Sequence, residues 1–324
     1  MQYNGLHGPK CDAMICKEDM RIDNVSRRKF VKAGAGGLGA LILAERANPA
    51  ETVAPAQARK AEEKVHIAVV QQDSVPGAVQ ANRSKALAFA KRALSNAPDI
   101  ILFHEELLVG YVENLKELAE EAQGPTTRAF QSLLAGKHTS ILWGLTERDG
   151  DRYYIAATLV DASGVRANYR KTHLWWRAQG LRHEPSFYEP GDDLVTFDIK
   201  GHKSGVMICY DGDFPEMTRA YANLDCRMLF WLNNRGQRGH NEVTGLAKSN
   251  SMIMAVSCVC GKNERGHTCR GGSNITNCDG SLLTEIWDKE GIIYADVNAA
   301  AVPQARQNNP WYTGRRADLY RKYI

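Results

Sequence analysis

Gly205-Val206-Met207-Ile208-Cys209-Tyr210-Asp211-Gly212-Asp213-Phe214-Pro215-Glu216 changes character halfway along. Val206 to Ile208 is apolar on both faces, the mark of a buried strand. Cys209 follows, and Tyr210, Asp211 and Gly212 mark a turn. Asp213 as N-cap, Pro215 in the first turn and Glu216 as the far half of an Asp-x-x-Glu capping box predict a helix next. The strand therefore ends on a thiol. A sulfur at a strand-to-helix turn, close to backbone N–H groups without partners, has the makings of a nucleophile with oxyanion donors beside it. The competing reading is a cysteine buried as a small hydrophobe.

Two other apolar strands end in the same odd way. In Val165 to Lys171, alternation puts Val165, Ala167, Tyr169 and Lys171 on one face, which leaves an ammonium on the apolar side. Asp99 to Leu108 reads as a strand closing on His104, Glu105 and Glu106. An unpaired buried charge costs several kcal/mol, so each of these groups calls for a partner or a chemical task. Taken together, Cys209, Glu105 and Lys171 supply the thiol, base and cation that acyl transfer requires.

These residues bring the chain to a family. Glu105 with Gly110 and Tyr111, then Tyr169-Arg170-Lys171-x-His173-Leu174, then Gly205-Val206-x-Ile208-Cys209-x-Asp211 with Phe214-Pro215-Glu216, resemble the nitrilase superfamily of carbon–nitrogen hydrolases in order and spacing. The resemblance runs from about Val65 to Tyr320 and takes in Gly191-Asp192, Gly272-Ser273 and Arg315 to Tyr320. It implies an α-β-β-α sandwich pairing through its helices into a homodimer or larger homo-oligomer. It also implies a second glutamate after the lysine: Glu184 and Glu189 both qualify, and the distance to Pro190 favours Glu184. The implied roles are Glu105 as base, Cys209 as nucleophile, Lys171 and the Tyr210 N–H as oxyanion donors, and Glu184 as the partner of Lys171. No metal or other cofactor enters this scheme. His104 departs from the usual proline before the first glutamate, and Ile155-Ala156 from a common Tyr-Asn. The implied substrate is a small amide, because Cys209-Tyr210-Asp211 is more similar to amidases than to nitrilases with Trp-Glu after the cysteine. An N-carbamoyl substrate comes second, suited by Arg177 or Arg182 in a basic wall. A non-catalytic binding member is the reading from another class, and the intact Glu, Lys, Glu and Cys set speaks against it.

The front of the chain reads as an address. Ser26-Arg27-Arg28-Lys29-Phe30-Val31-Lys32, the Gly-rich apolar run Ala33 to Ala44, and Ala54-Pro55-Ala56-Gln57-Ala58 resemble a twin-arginine export signal. Residues 1–58 are thus expected to be an n-region and signal peptide, with Met20 an alternative start, and residues 59–324 one hydrolase domain. The partner of this segment would be the twin-arginine export machinery, and the mature chain would work in the periplasm or outside the cell. A membrane anchor made by an uncleaved signal is a lesser alternative. Export creates a tension, since a working thiol must stay reduced where disulfides form.

The totals agree with an enzyme. The 324 residues are 44% hydrophobic and 24% charged with a formal charge of +4, which gives no case for nucleic acid. Strands and helices alternate at first and strands dominate later, predicting sheet packed on sheet with helices outside. The helices expected are Val79–Asn96, Glu113–Ala122 and Thr126–Lys137, then one after Glu216 and Glu242–Ser251; Pro303 to Ile324 reads as a polar and aromatic tail. Weaker candidates are a calcium loop at Asp211-Gly212-Asp213, and a zinc site or distant disulfide from Cys258, Cys260, Cys269 and Cys278 with His267. His173 and His183 are expected to support the long loop Leu174 to Asp193. Trp175, Trp176, Phe187 and Tyr188 are pocket or packing residues.

Overall fold

A computed structural model describes residues 64–235 and 240–323. The expectations for residues 1–58 lie outside the described residues.

The first half builds one sheet. The apolar run Val65–Gln71 (β1) leads into helix Val79–Leu94 (α1), which turns Ala86, Phe89, Ala90 and Ala93 inward. Ile100–Leu102 (β2) lies parallel to β1 and to Ser140–Asp149 (β3). Arg152–Asp161 (β4) and Gly164–Arg170 (β5) then fold back as hairpins. Gly291–Val297 (β13) returns to pair with β1, and the six strands stand in the order β13-β1-β2-β3-β4-β5.

The second sheet repeats a parallel centre. Thr196–Ile199 (β6) and His202–Ile208 (β7) form a hairpin, after which β7, Met228–Asn233 (β8) and Ile253–Cys258 (β9) run parallel. Cys260–Lys262 (β10), Thr268–Thr276 (β11) and Leu282–Trp287 (β12) complete its seven strands. The two sheets lie face to face. Ser257 of β9 donates to the Val70 carbonyl at 2.7 Å, and Ser273 of β11 donates to Gln71 Oε1 at 2.8 Å. Helices flank the pair, giving the α-β-β-α sandwich. They are α1, Leu115–Leu118 (α2), Pro125–Leu133 (α3), Pro215–Asn223 (α4) and His240–Asn250 (α5).

Several local expectations are corrected. The strand expected through Leu108 stops at Leu102, and the chain bulges. Phe103 N still bonds the Leu142 carbonyl and Leu107 N the Gly144 carbonyl, while His104 to Glu106 loop out between them and Glu106 takes a φ of 54°. Gly144 makes room for this. A Cβ on it would lie 2.3 Å from the His104 carbonyl oxygen and 2.5 Å from the Glu105 Cα. The helix expected at 113–122 is reduced to α2, because Glu120 leaves it to bridge β3 backbone to backbone. The Glu120 side chain instead caps α3 through the Thr126 N–H at 2.9 Å and binds Arg83 at 2.6 Å. Asp213 does not cap α4, whose N-cap is Phe214; its carboxylate is held by Arg235 at 2.8 Å. The expected strand Met252 to Cys260 divides between β9 and β10 at Val259. The C-terminal stretch is helical rather than a plain tail, forming Val302–Asn308 (α6), Pro310–Thr313 (α7) and Ala317–Tyr320 (α8).

Candidate active site

Strand direction decides which residues meet. Since β2, β3 and β5 point one way, Glu105 and Lys171 emerge from the same edge of the first sheet. Since β7 and β8 run parallel, Cys209 and Asn234 emerge side by side from the second. In a parallel sheet the carboxyl ends of the strands are where ligands gather.

At this edge Lys171, completely buried, donates to Glu105 Oε1 and to Glu184 Oε1, both at 2.8 Å. Glu105 Oε2 accepts from the Asn234 N–H at 2.7 Å, and Glu184 Oε2 from the Trp175 N–H at 2.6 Å. Tyr111 adds its hydroxyl to Glu184 Oε1 at 2.7 Å. Burial works against the Lys171 ammonium, but Glu105 and Glu184 more than offset it and hold the proton more tightly than usual. Burial raises the affinity of Glu184 for a proton, with Lys171 opposing. Of the two glutamates weighed in the sequence, Glu184 is the one on the lysine; Glu189 is exposed.

Cys209 opens the 3₁₀ turn Cys209–Asp213 with a φ of 45°, in the left-handed region that a side chain seldom adopts. Two contacts fix that turn. Trp231 Nε1 donates to the Cys209 carbonyl at 3.1 Å, and Gly212 lies so close beneath the indole that a Cβ would fall 2.0 Å from it. Burial first, and then the charge of Glu105, push the thiol up to about 11, while Lys171 and Arg235 pull it down. The Tyr210 N–H stands in the first turn, where a helix leaves its N–H groups without partners inside the helix. A cavity of about 260 Å³ opens here, lined by Cys209, Tyr210, Glu184, Trp175, Arg182 and Arg235 among others.

The remaining candidates sort themselves. Asp211 is wholly buried and accepts from Ile208 N, Tyr169 OH, His173 N, Thr172 Oγ1 and His173 Nδ1 at 2.7–3.0 Å, so it ties the turn to the neighbouring loop and is already saturated. His173 also stacks on Phe214 at 4.0 Å, and His183 bonds Ser186 at 2.7 Å. Of Trp175, Trp176, Phe187 and Tyr188, Trp175 lines this cavity beside Tyr111 and Tyr210, whereas Trp176 is 56% exposed and Tyr188 is buried beside Glu106. Arg177 lies over Trp176, whereas Arg182 reaches the cavity wall with both ends of its fork on Glu264, at 2.6 and 2.9 Å. His104 is neutral, since burial drives it down to about 4; it bonds the Glu105 carbonyl rather than the carboxylate. Cys258, Cys260, Cys269 and Cys278 are buried and not joined in disulfides, and among the described residues no group of three His, Cys, Asp or Glu is placed to hold a metal.

Two participants escaped the sequence reading. Arg235 Nε donates to Cys209 Sγ at 3.2 Å and Asn234 offers its backbone N–H to Glu105, while Glu106, the second carboxylate at that strand end, lies buried behind Glu105 with its hydroxyl partner Thr146. Burial raises Glu106 to about 8, with Glu105 and Glu184 adding to the effect against Thr146 and Lys171. The signal for the first two was a fourth apolar strand, Met228 to Leu232, ending in Asn233-Asn234-Arg235.

A thiol, a lysine and two carboxylates at one cavity suit attack on a carbon bonded to oxygen and nitrogen, which makes this a hydrolase of C–N bonds. The comparisons carry the assignment further: the chain belongs to the carbon-nitrogen hydrolase family, whose model matches residues 66–307. A hydrolase in the pqqF 5′ region of Pseudomonas protegens is 32% identical over 231 residues, which is 68% of this chain and 79% of that protein. An (R)-stereoselective amidase of a Pseudomonas species is 27% identical, covering 68% of this chain and 81% of that one. The human omega-amidase NIT2 is 25% identical over 74% of this chain and 91% of its own. Two solved structures share the fold. The amidase of Nesterenkonia AN1, from the nitrilase superfamily, overlays with a TM-score of 0.65 at 23% identity, over 81% of this chain and 98% of that one. A CN-hydrolase superfamily protein from Xanthomonas campestris, with an arsenic adduct in its active site, reaches 0.71 at 19% identity, over 79% and 98%.

Proposed function

We propose that this chain is an exported thiol hydrolase that cleaves a small amide to its carboxylic acid and ammonia through a thioester on Cys209. The observation that carries the reading is Lys171, completely buried and bonded to Glu105 and Glu184, beside the cavity lined by Cys209. With its thiol raised to about 11, Cys209 rests protonated, so a base must act during the reaction. Glu105 takes the proton and sulfur attacks the amide carbon. Lys171 spends two of its three N–H donors on carboxylates and keeps one for the oxyanion, which the Tyr210 N–H shares. Such a donor is worth about 3 kcal/mol in the transition state. Glu105 returns the proton to the departing ammonia, then activates the water that opens the thioester. Glu184, fixed by the Trp175 N–H and Tyr111, keeps Lys171 charged and aimed. The similarity to an (R)-stereoselective amidase and an omega-amidase supports the amide class.

The N-carbamoyl alternative draws support from Arg182 in the cavity wall, weakened because Glu264 already occupies that guanidinium. Ammonia and carbon dioxide measured over amides, nitriles and N-carbamoyl compounds decide between them: ammonia alone from amides supports the first reading, and carbon dioxide alongside it the second. Equal turnover by wild type and Cys209→Ala defeats both. The export reading rests on Ser26 to Lys32 and is tested by replacing Arg27 and Arg28 with Lys, which should leave the protein in the cytoplasm. Assembly into a homodimer or larger homo-oligomer is tested by light scattering on the purified chain.

A further inference from the structure

The hydrogen bond that Sγ receives comes from an arginine. Arg235 Nε lies 3.2 Å from Cys209 Sγ, and the other branch of the same guanidinium, Nη2, is held at 2.8 Å by Asp213 Oδ2. Both side chains line the cavity, and both are only partly exposed, Arg235 at 25% and Asp213 at 30%. The arginine arrives from the end of β8 and the aspartate from the turn that Cys209 itself begins, so one guanidinium joins the sulfur and the aspartate across two neighbouring strands. Glu105 is differently engaged: Oε1 faces Lys171 and Oε2 faces the Asn234 N–H.

We propose that Arg235 is a further catalytic residue, a donor to the thiolate of Cys209, oriented for that task by Asp213. The inference rests on the thiol mechanism above. Glu105 removes the proton from Sγ, and the electron pair left on sulfur meets the Arg235 Nε–H, an ion-to-ion hydrogen bond stronger than the ion-to-thiol contact it replaces. The pair then forms the S–C bond as the carbonyl π pair moves to oxygen, and Arg235 falls back to a weak contact. When water opens the thioester, the C–S pair returns to sulfur and the same N–H receives it, so one residue eases both half-reactions. Arginine suits this work because its guanidinium stays charged and its planar fork serves sulfur and carboxylate at once.

The test needs no substrate. Alkylation of Cys209 by iodoacetamide is followed by mass spectrometry of its peptide from pH 6 to 10 in wild type, Arg235→Gln, Arg235→Lys and Asp213→Asn, with amide turnover measured in parallel. Arg235→Gln should slow labelling at pH 8 about tenfold and move the profile up by about one pH unit. Arg235→Lys should recover part of the rate, Asp213→Asn should fall between, and kcat should drop more than KM rises. If Arg235→Gln does not fold, the lysine and asparagine variants carry the comparison. An unchanged labelling profile with a raised KM overturns the proposal, since the arginine then only binds substrate. A shifted profile in a protein that hydrolyses no amide overturns the function proposed above and leaves the role of Arg235 intact.

Discussion

Two buried carboxylate centres lie within one loop's reach of Cys209, and they are built on opposite plans. Asp211 is surrounded by five hydrogen-bond donors, two backbone N–H groups and three side-chain groups, with no lysine or arginine among them. Glu105 and Glu184 share one ammonium and have one backbone N–H each. The first arrangement anchors, because every lone pair that matters is already occupied. The second is poised, because two carboxylates competing for one cation leave the site short of positive charge and ready to accept a proton. Structural and chemical buried charge are thus told apart by what satisfies them.

The sharpest way to break this contrast is to remove chemistry without shape. Cys209→Ala and Glu105→Gln should each lower amide turnover by about 10³-fold or more while leaving the circular-dichroism spectrum and melting curve near wild type. A variant with full activity puts the poised centre elsewhere. Next in size, Lys171→Met strands two carboxylates with no cation; denaturant titration should show a loss of about 3–5 kcal/mol as well as lost turnover. Asp211→Asn removes charge but keeps size, so it should cost about 1–3 kcal/mol, with stability falling before turnover does. If Asp211→Asn proves the more damaging to kcat, the assignment of the two centres is reversed.

A smaller effect concerns pH. Glu106 is held neutral, its proton lost near 8 in the folded chain against 4.5 ordinarily. The folded state therefore binds the extra proton between those values, and stability from this group is full below 4.5 and declines as pH rises towards 8. Glu106→Gln should flatten that decline in melting temperatures recorded between pH 5 and 9. At the bottom of the scale stands Arg270 with Asp288, a bidentate pair on the open surface at 2.8 Å. Arg270→Ala should leave melting temperature and turnover unchanged, as exposed pairs usually do.

Much of the site was legible because charge is conspicuous at the end of an apolar strand. Lys171 on the Val165 face and Cys209 after Ile208 announced themselves by alternation and burial alone. Glu184 was legible only through the family resemblance, since nothing in its own surroundings marks it. Arg235 was hidden for a different reason: Asn233-Asn234-Arg235 reads as an ordinary turn until β8 is known to lie against β7. Asp213 was mistaken for a helix cap because its partner lies 22 residues away in sequence. The two-layer architecture was readable from alternating patterns, but the stop of β2 at Leu102 was not, since the apolar run continues and only the bulge interrupts it.

That bulge has an owner on the neighbouring strand. Gly144 belongs to β3 and is not among the residues lining the cavity, yet the chain carrying the candidate base passes 2.3 Å from where a methyl carbon would be. Gly144→Ala would lever Glu105 toward or away from the sulfur without altering a single cavity-lining side chain. A catalytic rate set from the adjoining strand, by an atom that is not there, offers an indirect throttle on the enzyme.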